Sequence, residues 1–109
     1  MLRTNKTLTV LDLGSNQIDN IGAHDLALAL KENSTLVELY LNNNSIGEKG
    51  GEALYDVLSS SNTTLSVLDL GGNHISNALH ERLDAIENLQ KKRTGWAKQP
   101  RVAAPSITA

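Results

Sequence analysis

One pattern governs what this chain can fold into: L-x-x-L-x-L-x-x-N-x-I, written three times. It runs through Leu8, Leu11, Leu13, Asn16 and Ile18, then Leu36, Leu39, Leu41, Asn44 and Ile46, then Leu65, Leu68, Leu70, Asn73 and Ile75. The starts lie 28 and 29 residues apart, and all fifteen anchor positions hold Leu, Asn or Ile, so coincidence is not a serious alternative. A fixed period of this length marks a repeat architecture. Within each repeat the paired leucines, such as Leu11 and Leu13, alternate with other residues, which is strand periodicity. Strands of about 3–5 residues are too short to be stable alone. Stacked repeats pair them in parallel and join their leucines into one core. Asn16, Asn44 and Asn73 then form a column. A buried amide has donors and an acceptor for the backbone groups where the chain leaves each strand, so these three are assigned to structure rather than to chemistry.

The second half of each repeat predicts a helix. Ala23, Leu26, Ala27 and Leu30 fall at i, i+3, i+4 and i+7, one helical face. Gly51, Leu54, Tyr55 and Leu58 hold the matching places 28 residues later. Gly22 and Gly50 are read as preceding the helices, suited to a tight loop or a close backbone approach. A strand followed by a helix in every repeat predicts an α/β solenoid. Helices are wider than strands, so strands line the concave side of an arc and helices the convex side.

The period and the G-x-x-x-L-x-x-x-L helix resemble the ribonuclease-inhibitor-like class of leucine-rich repeats, found also in NOD-like receptors and in the GTPase-activating protein for Ran. The resemblance covers residues 1–90. It implies the horseshoe fold and a protein-binding role, and leaves the partner open, because relatives on this fold bind different proteins.

The ends differ. Met1–Leu8 aligns with Ala29–Leu36, so residues 1–7 read as the last turn of a preceding repeat's helix, with no capping sequence ahead of them. The expectation is a fragment of a longer array, or an open edge that stacks on another molecule. At the other end, Ser76 and Asn77 are good N-cap types, and Leu79, Leu83 and Ile86 continue an apolar face. Asp84, Glu87 and Gln90 stand where a following repeat would require apolar residues. Residues 76–93 therefore read as a closing helix, ended by Gly95. The expected division is a repeat array over 1–93 and a basic, disordered tail over 94–109. Charge follows the same line: residues 1–90 carry 12 acids and 5 bases, whereas residues 91–109 carry 5 bases and no acid, and the whole chain is at −2.

Binding in such an array is expected on the strand face, which a rigid backbone presents. Its outward positions form columns: Val10, Glu38 and Val67; Asp12, Tyr40 and Asp69; Gly14, Asn42 and Gly71. Tyr40 between Asp12 and Asp69 is the best anchor, since tyrosine is enriched among binding hot spots, and an acidic surface favours a basic partner. The candidate partner-binding residues are Asp12, Glu38, Tyr40, Asn42 and Asp69. The same two aspartates also read as part of a recurring L-D-L wording without a binding role.

Other functions find little support. No cysteine is present, which removes thiol nucleophiles, disulfides and cysteine metal sites. His24, His74 and His80 show no metal-ligand spacing, and no phosphate loop or nucleophile elbow occurs. Neither catalytic residues nor cofactors nor metals are expected. Aromatics make up only 3% of the chain, which argues against a nucleic-acid stacking platform. No apolar run reaches the roughly 20 residues of a membrane span, and the N-terminus has no long apolar region, which favours the cytoplasm. Four N-x-S/T triplets, at Asn5, Asn33, Asn43 and Asn62, read as by-products of the repeat. The expected function is a non-enzymatic protein-interaction module. The alternatives are a piece of a GTPase-activating regulator and a self-stacking structural fragment.

Overall fold

A computed structural model describes residues 4–61 and 64–96. Strand β1 (Val10–Asp12) leads to helix α1 (Asn20–Glu32), β2 (Glu38–Tyr40) to α2 (Glu48–Ser60), and β3 (Val67–Asp69) to α3 (Asn77–Thr94). The strands form one parallel sheet in the order β1-β2-β3. Each is three residues long, so pairing beyond the strands matters. Val37 N–H donates to Thr9 O at 2.8 Å, and Leu13 and Ser15 N–H donate to Tyr40 and Asn42 O at 2.8 and 2.9 Å. One repeat on, Ser66 N–H donates to Val37 O, and Leu41 and Asn43 N–H donate to Asp69 and Gly71 O, each at 2.8 Å.

The register sets Leu11 beside Leu39 and Leu39 beside Leu68, as the repeat predicts. In the middle repeat Leu36, Leu39, Leu41 and Ile46 are all 0% exposed, whereas Leu8 and Ile18 of the first repeat are only half-buried. Full burial of a leucine stabilises by roughly 1.5–3 kcal/mol, so each repeat depends on neighbours on both sides. The predicted helix faces point into this core: Ala23, Ala27 and Leu30 from α1, Leu54 and Leu58 from α2, Leu79 and Leu83 from α3.

The asparagine column is the sheet's second fastening. Asn44 Oδ1 accepts from Asn16 N–H and Ile18 N–H, both at 2.9 Å, and its Nδ2 donates to Leu13 O at 3.0 Å and Leu41 O at 2.9 Å. Asn73 repeats this one step on, accepting from Ile46 N–H and donating to Leu41 O and Leu70 O. A second pair closes the helix-to-strand turns. Asn33, 3% exposed, accepts from Thr35 and Leu36 N–H and donates to Asn5 O at 3.0 Å. Asn5 accepts from Thr7 and Leu8 N–H in the same way. Two of the N-x-S/T triplets are therefore turn fasteners, and that of Asn62 lies outside the described residues.

Helix starts are fastened between repeats too. Asp19 caps α1 and Ser76 caps α3 with their own side chains, but Gly47 has none to offer α2. Asn20 of the preceding repeat replaces it: its Oδ1 accepts from Gly47 N–H at 2.7 Å and Gly50 N–H at 3.0 Å. Glu48, 28 residues further, accepts from Ser76 N–H and Oγ–H at 2.8 Å, and these bonds hold its carboxyl below the usual range. Gly22 and Gly50 lie inside the first turns of α1 and α2 rather than ahead of them. The need at Gly50 is close approach, since a Cβ would come within 2.8 Å of Asn20 Oδ1 and of Ile46 Cγ2. Gly72 is different. Its φ of 72° is left-handed, like Ser15 and Asn43 at the same place in earlier repeats, and a Cβ would lie 2.1 Å from Asn43 Oδ1.

Helix α3 lies along the outer edge of β3. Glu87 accepts from Leu68 N–H, Gln90 Nε2 donates to Leu65 O at 2.8 Å, and Thr94 Oγ1 meets Ser66 Oγ at 2.9 Å. Of these, Glu87 and Gln90 satisfy backbone edge groups that another strand would otherwise pair. Burial pushes the Glu87 carboxyl up to about 7, against the bond from Leu68 N–H. Arg82 lies over the Tyr55 ring at 4.4 Å, tying α3 to α2. The helix extends to Thr94, so the expected start of a disordered tail at 94 does not match the structure there. Gly95, φ 71°, is the left-handed cap. The rest of the expected tail, residues 97–109, lies outside the described residues.

Candidate functional site

The parallel register builds the concave face from the rows expected. Val10, Glu38 and Val67 pair across the sheet, and so do Asp12, Tyr40 and Asp69. The continued ladder carries the face on to Asn42. Asp12, Glu38, Tyr40 and Asn42 are half-buried, and Asp69 is exposed. Strand alternation forces this arrangement: the leucines between them point into the core, so these side chains point out.

Each acidic side chain has a local task. Asp12 Oδ1 accepts from Gly14 N–H, and Asp69 Oδ1 from Gly71 N–H, both at 2.9 Å. An aspartate that binds the backbone two residues on forms an Asx-turn, which is the physical content of the L-D-L wording. Tyr40 interrupts the pattern in the middle repeat, and its hydroxyl donates to Glu38 Oε1 at 2.5 Å. The Asn42 amide lies against Gly14, where a Cβ would approach Oδ1 to 2.9 Å. Three carboxylates, a phenol and an amide thus share one rigid surface. Such a group can accept hydrogen bonds from cations, and guanidinium groups match carboxylates in bidentate geometry.

Trp96 was expected to belong to the tail, and the structure places it at this face. Its Nε1–H points at Glu38 Oε2 at 3.4 Å, and Lys91 Nζ lies 4.7 Å from the ring centroid. The contact joins residues 58 apart, and no repeat position marks it. The signal available in the sequence was a single tryptophan immediately after a glycine helix stop.

The histidines do not converge: His24 is on α1, His74 follows β3 and His80 is on α3. Among the described residues no group of three His, Asp or Glu is placed to hold a metal ion, and no helix is long and apolar enough to cross a membrane. On the convex side, His24, Leu28, Lys31, Asp56 and Ser60 border an open groove between α1 and α2 of about 260 Å³. Its lining mixes basic, acidic and apolar side chains.

A family profile described as "Leucine Rich repeat" matches residues 4–27, 32–54 and 61–78. The chain is 41% identical over 83 residues to NACHT, LRR and PYD domains-containing protein 9C of Mus musculus, across 75% of this chain and 8% of that protein. It is 36% identical over 81 residues to ribonuclease inhibitor of Sus scrofa, covering 74% and 18%. To the protein phosphatase 1 regulatory subunit 37 homolog of Caenorhabditis elegans it is 36% identical over 72 residues, covering 66% and 8%. The chain thus spans less than a fifth of each of these relatives. The structure called Leiomodin-1 Actin-Binding Site 2 superposes with a TM-score of 0.66 at 23% identity, over 86% of this chain and 71% of that one, which shows a shared fold.

Proposed function

The chain belongs to the leucine-rich repeat family, in its ribonuclease-inhibitor-like class, and from that premise we propose that it binds another protein across the concave strand face without catalysing a reaction. The observation carrying this reading is the row Asp12–Tyr40–Asp69 with Glu38 bonded to Tyr40. The row is acidic, so the partner is basic at its contact surface. Relatives named as an inhibitor and as a regulatory subunit support a role in binding rather than catalysis. The cytoplasmic setting expected from the sequence is part of the same proposal.

The test pairs two variants in affinity capture followed by mass spectrometry. Asp12→Lys with Asp69→Lys reverses the concave charge, and Leu28→Asp alters the convex groove. Partners lost only with the first variant support the concave reading; partners lost only with the second reject it. A basic partner should also bind less tightly as salt rises.

A specific observation supports the self-stacking reading as second. Among the described residues β1 has no strand on its outer side, and the Asn16 side chain reaches only its own repeat, Nδ2 donating to Gly14 O at 3.1 Å. Light scattering across a dilution series tests this: a monomer at every concentration rejects self-stacking. The GTPase-regulator alternative has less support, because the strand-exit segments 14–18, 42–46 and 71–75 contain no arginine to offer a nucleotide. A GTP-hydrolysis assay with candidate GTPases tests it.

A further inference from the structure

We infer that the concave face carries a ligand in cis: the Trp96 indole docks on Glu38 and must be displaced by an outside partner that binds there. The inference rests on the concave face being the binding face.

Two local devices aim the indole. Gly95 turns the chain in the left-handed region, and Trp96 N–H donates back to Lys91 O at 3.1 Å, the six-to-one bond of a Schellman motif. Helix α3 lies beyond β3, yet the indole reaches Glu38 on β2, so it passes over the sheet instead of leaving it. There Glu38 accepts on both oxygens, from Tyr40 Oη–H on one and Trp96 Nε1–H on the other. Lys91 sits over the indole at 4.7 Å, a cation–π pair that helps to hold the ring.

Charge agrees with this docking. The docked indole is accompanied by the Lys91 ammonium, and the face it meets carries Asp12, Glu38 and Asp69. Trp96 thus shows what the face accepts: an aromatic donor accompanied by a cation. The outside partner that competes for the same place is a basic protein segment with an aromatic anchor.

Trp96 is the only tryptophan, so its fluorescence reports the contact without any partner. In the intact chain the indole should be shielded from acrylamide. Glu38→Ala should release it, raising the quenching constant by about twofold while the far-ultraviolet circular dichroism stays unchanged. Quenching in the unaltered chain equal to that of N-acetyltryptophanamide, or no change in Glu38→Ala, overturns the inference. A nona-arginine peptide is the second probe. Trp96→Ala should bind it roughly threefold or more tightly than the unaltered chain, by calorimetry; equal affinity overturns the displacement step. If the peptide binds neither protein while the indole is shielded and released by Glu38→Ala, the cis contact stands and the reading of the face as a site for basic partners fails.

Discussion

Replacing Asn44 with alanine should be among the most damaging single changes outside the leucines. The side chain is 6% exposed and makes four bonds of 3.0 Å or less, to Asn16 N, Ile18 N, Leu13 O and Leu41 O. Leu41 O would keep its bond from Asn73 Nδ2. Three groups then lose the partner that ties the first repeat to the second: Asn16 N–H, Ile18 N–H and Leu13 O. An unsatisfied buried polar group costs about 1–3 kcal/mol. Water reaches the two half-buried amides, so the lower end applies, and the expected loss is about 3 kcal/mol. Native domains of this size hold roughly 5–15 kcal/mol in all. Asn16→Ala is the control. It removes the same chemistry from the same column, but the Asn16 side chain bonds only to Gly14 O within its own repeat, so the expected loss is under about 1 kcal/mol. Urea unfolding followed by circular dichroism reads both. The midpoint of Asn44→Ala should fall well below that of Asn16→Ala at a similar slope. Equal midpoints would show that the column acts by local turn formation, not by fastening neighbouring repeats, and the reasoning would be wrong.

Further outcomes follow from the same structure. Glu87 is raised from 4.5 to about 7 in the folded chain, so the native state binds more protons between those values, and stability should fall as pH rises from about 4.5 through about 7. Partial exposure reduces the full effect to about 1–2 kcal/mol. Glu87→Gln keeps an acceptor for Leu68 N–H and should flatten this loss when urea midpoints are compared at pH 5 and pH 8; an unchanged slope refutes the assignment. Gly72→Ala should cost about 1–2 kcal/mol, because alanine resists a left-handed φ and its Cβ displaces Asn43. Gly71→Ala, whose Cβ would meet only Asp69 Oδ1 at 3.2 Å, should stay within about 0.5 kcal/mol. Asn20→Ala removes the cap of a helix to which it does not belong. It should cost about 1 kcal/mol, visible as a melting point lower by roughly 4–8 °C.

Much of the fold was legible because it is carried by positions that recur. Leu11, Leu39 and Leu68 are identical residues 28 and 29 positions apart, and stacking is the arrangement that buries them all, so the register and the surface rows followed together. Ser76 was legible as the cap of α3, but the fastenings that one repeat lends to the next helix start were not, for the opposite reason. Asn20 and Glu48 do the same task 28 residues apart, but with different residue types, because the task needs only an acceptor oxygen at the right height. A search for repeated letters passes over a repeated function. Asn5 and Asn33 were visible as letters, and only the geometry shows that the first half of each N-x-S/T triplet closes a turn.

The departure of α3 from the repeat is legible by exception. Helix α3 departs from the repeat at Glu87 and Gln90, and those departures meet the edge of β3. A polar residue placed where the period calls for an apolar one is costly unless a backbone group waits for it. Here Leu68 N–H and Leu65 O are waiting, because β3 has no further strand beside it among the described residues. The same logic extends to Trp96. A large aromatic after a helix stop has no place in the period, and it finds one on Glu38, a residue that varies within its own column from Val10 to Glu38 to Val67. Positions that vary within a column are the ones stacking does not constrain. They are where a repeat chain is free to differ from its relatives, and on this chain Glu38 and Tyr40, the two such positions on β2, are bonded to each other at the centre of the candidate face.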